Sequence, residues 1–181
     1  MYNNLFIVPF VSIIAIVVEC AIICSKDVAR KVPNNYICLG IFTFCEAYIV
    51  AFTASVYDPM IVLTAAIMTA GVVIALTIYA WKTKKDFTLM GSAMAILSVS
   101  LLMCLIFSLI FINQIIPIIL CMLIVIMFGF YIVYDTQLII GEKRYEINEE
   151  DYVIGALILY LDIITMFIYI LRILGEAQRN N

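Results

Sequence analysis

The sequence lacks histidine, carries little charge and shows no motif of a soluble enzyme. Its 181 residues contain no histidine and only 13% charged residues. Without histidine, a Gly-rich phosphate loop or a zinc motif, we expect no hydrolase triad, no tightly bound cofactor and no enzymatic activity. No basic tract suited to nucleic acid occurs. The six cysteines form no Cys-x-x-Cys pair and lie in apolar runs, so they predict membrane-embedded thiols instead of disulfides or a metal site.

What the sequence does contain is apolar residues, which make up 66% of the chain. Soluble domains carry about 45 to 50%, so the composition predicts a polytopic membrane protein. The length fits one all-α transmembrane domain over residues 1–181, a helical bundle with membrane lipid around it. The apolar runs predict six spans, at residues 5–25, 36–55, 60–80, 87–112, 115–134 and 152–174.

Lysine and arginine alternate between the predicted loops. The first, third and fifth loops hold three, three and two basic residues, and the second and fourth hold none. This pattern places the first, third and fifth loops in the cytosol and the N-terminus on the lumenal or extracellular side. Six full spans would place the C-terminus on that same far side, although the tail carries Arg172 and Arg179. One solution is a central or re-entrant last segment.

The last apolar segment, 152–175, holds one carboxylate, Asp162, near its middle. A charge at that depth costs on the order of 3 kcal/mol, so such residues face a protein interior or a water-filled cavity. At about 100° per residue, one polar stripe forms along this helix, and we expect it to face inward. The stripe consists of Gly155, Asp162, Thr165, Tyr169 and Arg172.

Other carboxylates lie in or beside apolar segments. Glu46 lies mid-span with Thr43 and Thr53 on its face, and it is the clearest companion to Asp162. Its alternative role is a single packing contact with a polar group such as a tyrosine hydroxyl. Asp135 directly follows the fifth predicted span. If it only contacts water at the headgroups, it has no special function. Glu19 lies close enough to a loop to extend its carboxylate toward water.

Two carboxylates held close together do not readily both ionise, so such a pair shares a proton. Because histidine is absent, proton sensing near neutral pH would depend on such carboxylates. A cation from Arg30 or Lys31 could hold the pair shut, and loss of the proton would favour opening or cation entry. Oxygen ligands alone suit a hard cation such as Ca²⁺.

Three motifs carry a resemblance to a known family: FTFCEAY at 42–48, WKTKKDFT at 81–88 and YDTQLIIGEKRYEINEEDYVIGALILYLDII at 134–164. Together they resemble the transmembrane Bax-inhibitor-motif family, in its Lifeguard branch. The resemblance runs from about Leu5 to the C-terminus. It implies seven helices with the last at the centre, in the endoplasmic reticulum or Golgi membrane, with the plasma membrane as the alternative. It also implies pH-sensitive Ca²⁺ leak, with Ca²⁺ as the permeant ion, and suppression of cell death.

The resemblance also assigns residues. It implies a pH-sensing pair formed by Asp135 of YDTQ and Asp162 of YLDII, which we also take as a candidate Ca²⁺ site. The basic partner would be Arg30 or Lys31, at the cytosolic end of an early helix.

Three further residues are implied in the ion pathway. Glu150 lies twelve residues before Asp162, and Glu46 matches the acidic position of the third family helix. Thr165 stands where many relatives carry asparagine, which would change hydrogen bonding beside Asp162. The family usually has an N-terminal tail and one more helix, so we expect this chain to begin at the family's second helix.

Three functions follow from these observations. The first is a Ca²⁺ leak that tempers cell death. The second is a non-conducting protein that binds death regulators or receptors through its helices and acidic loop, and the third is a proton-coupled carrier.

Overall fold

The computed structural model describes residues 7–110, 115–141 and 143–179, without the side chains of 107, 109, 110, 115 and 116. The predicted connection between the fourth and fifth spans, residues 113–114, lies outside the described residues. The chain forms two compact units. The first consists of Met1–Tyr57 and Asn148–Ile158, and the second of Asp58–Ile147 and Leu159–Asn181. The assignment of one domain stays a prediction.

The all-α prediction is confirmed, since the part of the chain described here contains helices and no strand. Six of these helices are long and apolar enough to cross a membrane. All six cysteines are free thiols. A short additional helix, α2, lies in the predicted first loop. The helices are α1 Ile7–Cys24, α2 Lys26–Arg30, α3 Asn34–Ala54, α4 Pro59–Lys82, α5 Gly91–Ile110, α6 Ile115–Ile140 and α7 Tyr152–Arg179.

In the first unit α1 packs against α3, and α2 contacts both helices. Apolar side chains of α1 and α3, among them Ile22 and Phe42, are fully buried. The predicted spans leave residues 26–35 as a loop, which includes Pro33 and the two asparagines that follow it. Instead α3 begins at Asn34, directly after Pro33. Asn35 is buried and its amide donates to the hydroxyl of Tyr152, 2.9 Å away, at the start of α7.

The second unit begins with a capped helix. The Asp58 carboxylate accepts a hydrogen bond from the amide of Met60, and Pro59 occupies the first helical turn. This is a favoured way to begin a helix, because it pairs an amide that has no partner within the helix. Farther along the chain, α6 packs against both α4 and α5. The apolar core between α5 and α6 contains Leu101, Leu120, Ile124 and Met127.

The end of α6 differs from the prediction. The predicted span stops at 134, whereas α6 continues to Ile140 and ends at Gly141, whose φ is 75°. A glycine in this left-handed conformation is a common helix terminator. The first six residues of the predicted acidic connection are therefore helical. Hydropathy placed the end too early because it scores Asp135, Thr136 and Gln137 as polar, although all three side chains are buried.

Candidate carboxylate site

The structure brings Asp135 of α6 and Asp162 of α7 together inside the second unit. Asp135 is 7% exposed and Asp162 is 5% exposed. Their carboxyl groups are close enough to hydrogen-bond to each other. An ionised carboxylate can only accept a hydrogen bond, so a bond between two carboxyls requires a proton on one of them. The pair can therefore hold one proton away from bulk water.

Two polar atoms at this site have no hydrogen-bond partner among the described residues. They are Oδ2 of Asp162 and the hydroxyl oxygen of Thr136, the residue after Asp135. Most buried polar atoms in proteins are paired, so two unpaired buried oxygens, one on Asp162 and one on the residue after Asp135, are unusual. Both oxygens are free to accept a proton donor or to coordinate a cation.

Gln137 fixes the helical turn that carries Asp135. Its side chain is 1% exposed and binds three backbone groups, two in the α4–α5 connection and one in the last turn of α4. Oε1 accepts from the amide of Phe87 at 2.8 Å, and Nε2 donates to the carbonyls of Lys85 at 3.0 Å and Ala80 at 3.3 Å. These bonds explain why a glutamine can be buried at the end of a membrane helix.

A second set of hydrogen bonds joins the α4–α5 connection to the chain after α6. Asp86 accepts from the Thr88 hydroxyl at 2.6 Å and from the Arg144 amide at 3.2 Å. Lys143 donates to the Thr83 carbonyl at 3.2 Å. The hydrogen bond from Thr88 lowers the pKa of Asp86, and the Arg144 amide and the Lys143 charge act in the same direction. This connection lies outside the membrane-spanning segments.

Arg30 has different partners from those we expected. Its Nε and Nη2 atoms donate to the two carboxylate oxygens of Asp151, both at 2.7 Å, and Nη1 donates to Glu150 at 2.6 Å. The bond to Asp151 raises the pKa of the guanidinium. Lys31 pairs with Asp27 at 2.7 Å on the surface. The structure thus gives both residues carboxylate partners other than the predicted aspartate pair.

The other predicted pathway residues lie in varied surroundings. Glu46 is half-buried, and the charged group that acts on it is Glu19 of α1. The Thr43 and Thr53 hydroxyls donate to backbone carbonyls four residues earlier, at 2.8 and 2.9 Å. Glu150 is exposed, with 66% of its side-chain surface accessible.

The predicted polar stripe of α7 is inward at some positions and not at others. Gly155 and Asp162 are buried, and Thr165 and Tyr169 are half-buried. Arg172 is exposed, so the prediction that the whole stripe faces inward is wrong at this position. A long arginine side chain in the last part of a membrane helix can reach toward the polar surface, which accounts for the difference.

A comparison with protein families decides what kind of protein carries this site. The family described as Bax1-I, inhibitor of apoptosis-promoting Bax1, matches residues 1–180. The chain belongs to the Bax1-I family. It is an integral membrane protein with six membrane-length helices among the described residues.

Curated relatives of this Bax1-I protein are Lifeguard proteins, which confirms the predicted branch. Human protein lifeguard 3 is 34% identical over 159 residues, covering 86% of this chain and 51% of that protein. Mouse protein lifeguard 3 is 30% identical over 180 residues, covering 97% and 58%. Protein LIFEGUARD 3 of Arabidopsis thaliana is 36% identical over 154 residues, covering 83% and 60%. The chain therefore spans between half and three fifths of these relatives.

The aspartate pair of this Bax1-I protein does not resemble a built Ca²⁺ cage. Ca²⁺ usually takes six to eight oxygen ligands, and two carboxyl groups with the Thr136 hydroxyl supply about five at most. Within the described ranges, no group of three or more His, Cys, Asp or Glu side chains is arranged to hold a metal.

Sequence reasoning missed two residues of this Bax1-I protein. Gln137 was seen only as part of the YDTQ motif, and Asp151 only as the end of an acidic stretch. The three hydrogen bonds of Gln137 to backbone groups could not be predicted from the residues around it, because its partners lie 50 to 57 residues away in the sequence. Asp151 could have been found from its place beside Glu150 at the start of α7, where a carboxylate favours helix formation.

Proposed function

We propose that this Bax1-I family member is a pH-responsive Ca²⁺ leak of the endoplasmic reticulum or Golgi membrane. By lowering the Ca²⁺ store it would reduce the tendency of the cell to undergo apoptosis. The observation that carries the proposal is the pair formed by Asp135 and Asp162, two buried carboxyl groups on two membrane-length helices.

The proton on the pair would control its arrangement. With one proton the two carboxyls share a hydrogen bond and hold α6 and α7 together. Without it two negative charges face each other, and at about 4 Å such a repulsion is on the order of 4 kcal/mol for an effective dielectric constant of about 20. Separation of the carboxylates, or entry of a cation between them, relieves this repulsion. Flux should therefore rise as the pH rises through the range in which the pair loses its proton.

The remaining oxygen groups would serve the passage of the cation. Thr136 offers an unpaired hydroxyl next to Asp135, and Thr165 lies one turn beyond Asp162 on α7. Glu46 and Glu150 would supply negative charge in the first unit, where they attract a divalent cation. In this proposal Ca²⁺ is the transported ion and not a resident cofactor.

Ca²⁺ flux from vesicles tests the proposal. The full chain is reconstituted into vesicles that contain a Ca²⁺-sensitive dye, and flux is measured between about pH 5 and pH 8. Asp162→Asn and Asp135→Asn should each abolish the pH response, since neither leaves two carboxyls to share a proton. Asp27→Asn, which removes an exposed carboxylate paired with Lys31, is the control and should keep the response. If Asp162→Asn leaves both flux and its pH response unchanged, the proposal is wrong.

A second candidate is a non-conducting protein that binds a cell-death regulator. It is favoured by the family's description, which names the apoptosis-promoting protein Bax1, and by the exposed acidic side chain of Glu150. Cells that express Asp162→Asn separate the two functions. If the variant loses Ca²⁺ flux but still protects the cells from death, the interaction function is supported and the leak is not the protective activity.

A further inference from the structure

The second unit contains two neighbouring apolar cavities that the aspartate pair does not use. The larger has a volume of about 230 Å³ and the smaller about 130 Å³. Phe87 and Phe130 line both cavities, and we call this pair of neighbouring cavities the Phe87 groove. The larger cavity is also lined by Leu76, Tyr79, Ile126, Gly129 and Val133. The smaller is also lined by Met90, Ala93, Met94, Leu97 and Met127.

One end of the Phe87 groove lies beside the third predicted loop, which the basic residues place in the cytosol. Tyr79 lies in the last turn of α4, and Phe87 lies in the connection to α5. Their rings meet edge to face with centroids 6.1 Å apart. The connection between them carries three lysines, Lys82, Lys84 and Lys85. The chain thus leads directly from the apolar wall of the groove into a basic turn.

Gln137 fixes this basic turn above the groove. Two lining residues, Phe130 and Val133, lie about two turns and one turn before Gln137 on α6, on the same face of the helix. Gln137 binds the backbone of Phe87 and Lys85. The lysine turn is therefore attached to the end of the helix whose preceding turns line the groove.

The charge of the turn is positive and largely uncompensated. All three lysine side chains are exposed, and in the described part of the chain none of them forms an ion pair. The nearby Asp86 offsets one of these positive charges, and it accepts hydrogen bonds from Thr88 and from the amide of Arg144. Lys143, which binds the Thr83 carbonyl, adds a further positive charge to the same turn.

We propose that the Phe87 groove binds one anionic phospholipid of the cytosolic leaflet. An acyl chain fills the apolar cavity between α4 and α6, and the phosphate-containing headgroup binds the lysines of the turn. The distribution of basic residues places this turn in the cytosol, and the cytosolic leaflet is the one that carries anionic lipids. Basic pockets between membrane helices on that side are suited to such headgroups. This site is independent of the proposed Ca²⁺ leak.

Native mass spectrometry of the full chain in detergent tests the charge requirement. The protein is mixed with equal amounts of phosphatidylserine and phosphatidylcholine, and the ratio of the two bound lipids is measured. The native chain should retain one phosphatidylserine molecule in preference to phosphatidylcholine. Lys82→Gln combined with Lys85→Gln should lower the ratio on the order of tenfold. Lys26→Gln combined with Lys31→Gln removes the same charge from another basic loop and should leave the ratio unchanged.

A second pair of variants tests the groove. Ile126→Phe places a larger side chain at an exposed position of the groove wall and should also reduce retention of phosphatidylserine. Ile119→Phe makes the same change two turns earlier on α6, at a similarly exposed position outside both cavities, and should have no effect; the native residues are 58% and 51% exposed. Glycerophosphoserine, which lacks acyl chains, should not compete with the lipid.

Three results would overturn the proposal. The first is equal retention of the two lipids by the native chain. The second is a result in which the lysine variant loses the preference for phosphatidylserine but Ile126→Phe retains it. This result would show that the headgroup is attracted to the lysines without an acyl chain in the groove. The third is full competition by glycerophosphoserine, which would show a site for a soluble phosphate compound.

Discussion

Replacement of Gln137 by alanine should destabilise the protein strongly, because this side chain joins the end of α6 to the α4–α5 connection. It is 1% exposed and makes three hydrogen bonds to backbone groups. At roughly 1 kcal/mol for each bond, the loss is about 3 kcal/mol. For a chain of this size, roughly 2–4 °C per kcal/mol gives a decrease of about 6–12 °C in the midpoint of thermal unfolding.

Thermal unfolding in detergent, followed by circular dichroism, measures this change. Gln178→Ala is the matched control, because Gln178 is exposed on α7. A second variant, Gln137→Glu, keeps the volume of the side chain but turns an oxygen toward the carbonyls of Ala80 and Lys85. It should destabilise at least as much as Gln137→Ala. If Gln137→Glu unfolds at the native temperature, or if the two alanine variants behave alike, the hydrogen bonds do not hold this turn and the reasoning fails.

Two further predictions concern charged groups outside the spans. The decrease in the midpoint of thermal unfolding should be several-fold larger for Arg30→Gln than for Lys31→Gln. Arg30 binds both carboxylate oxygens of Asp151, whereas Lys31 makes one exposed contact with Asp27. Equal decreases would contradict this prediction. Asp86 has a lowered pKa, so its stabilising effect is present above the pKa of an unfolded aspartate, about 4, and is lost as the pH falls further. The difference in unfolding midpoint between the native chain and Asp86→Asn should therefore narrow from pH 5 to pH 3, and a constant difference would refute the role of the charge.

Local composition predicted most of the fold. A span is encoded by consecutive apolar residues, so the six membrane-length helices could be found without knowledge of tertiary contacts. The continuation of α6 beyond residue 134 could not be found in this way, because the burial of Gln137 depends on hydrogen bonds to groups at least 50 residues away. In the same way, the sequence predicts Asn35 as a loop residue. In the structure its side-chain amide donates to the hydroxyl of Tyr152, which lies 117 residues later in the sequence.

The candidate site was predictable in its chemistry and less so in its contacts. A single carboxylate in an apolar helix signals a functional residue, and the YDTQ and YLDII motifs identified the two aspartates that the fold brings together. The partners of Arg30 could not be predicted from the sequence. Its long side chain can reach several carboxylates, and the choice among them depends on where the turn before α7 places Asp151 and Glu150. No spacing in the sequence encodes that position.

The shared proton on Asp135 and Asp162 is the central claim, and infrared difference spectroscopy of the reconstituted chain tests it most directly. At neutral pH the native chain should show the carbonyl stretch of one protonated, buried carboxyl, and this band should disappear as the pH is raised. Asp135→Asn and Asp162→Asn should each change or remove it, whereas Asp27→Asn should not. A native spectrum without such a band, or a band that both variants leave unchanged, would contradict the account.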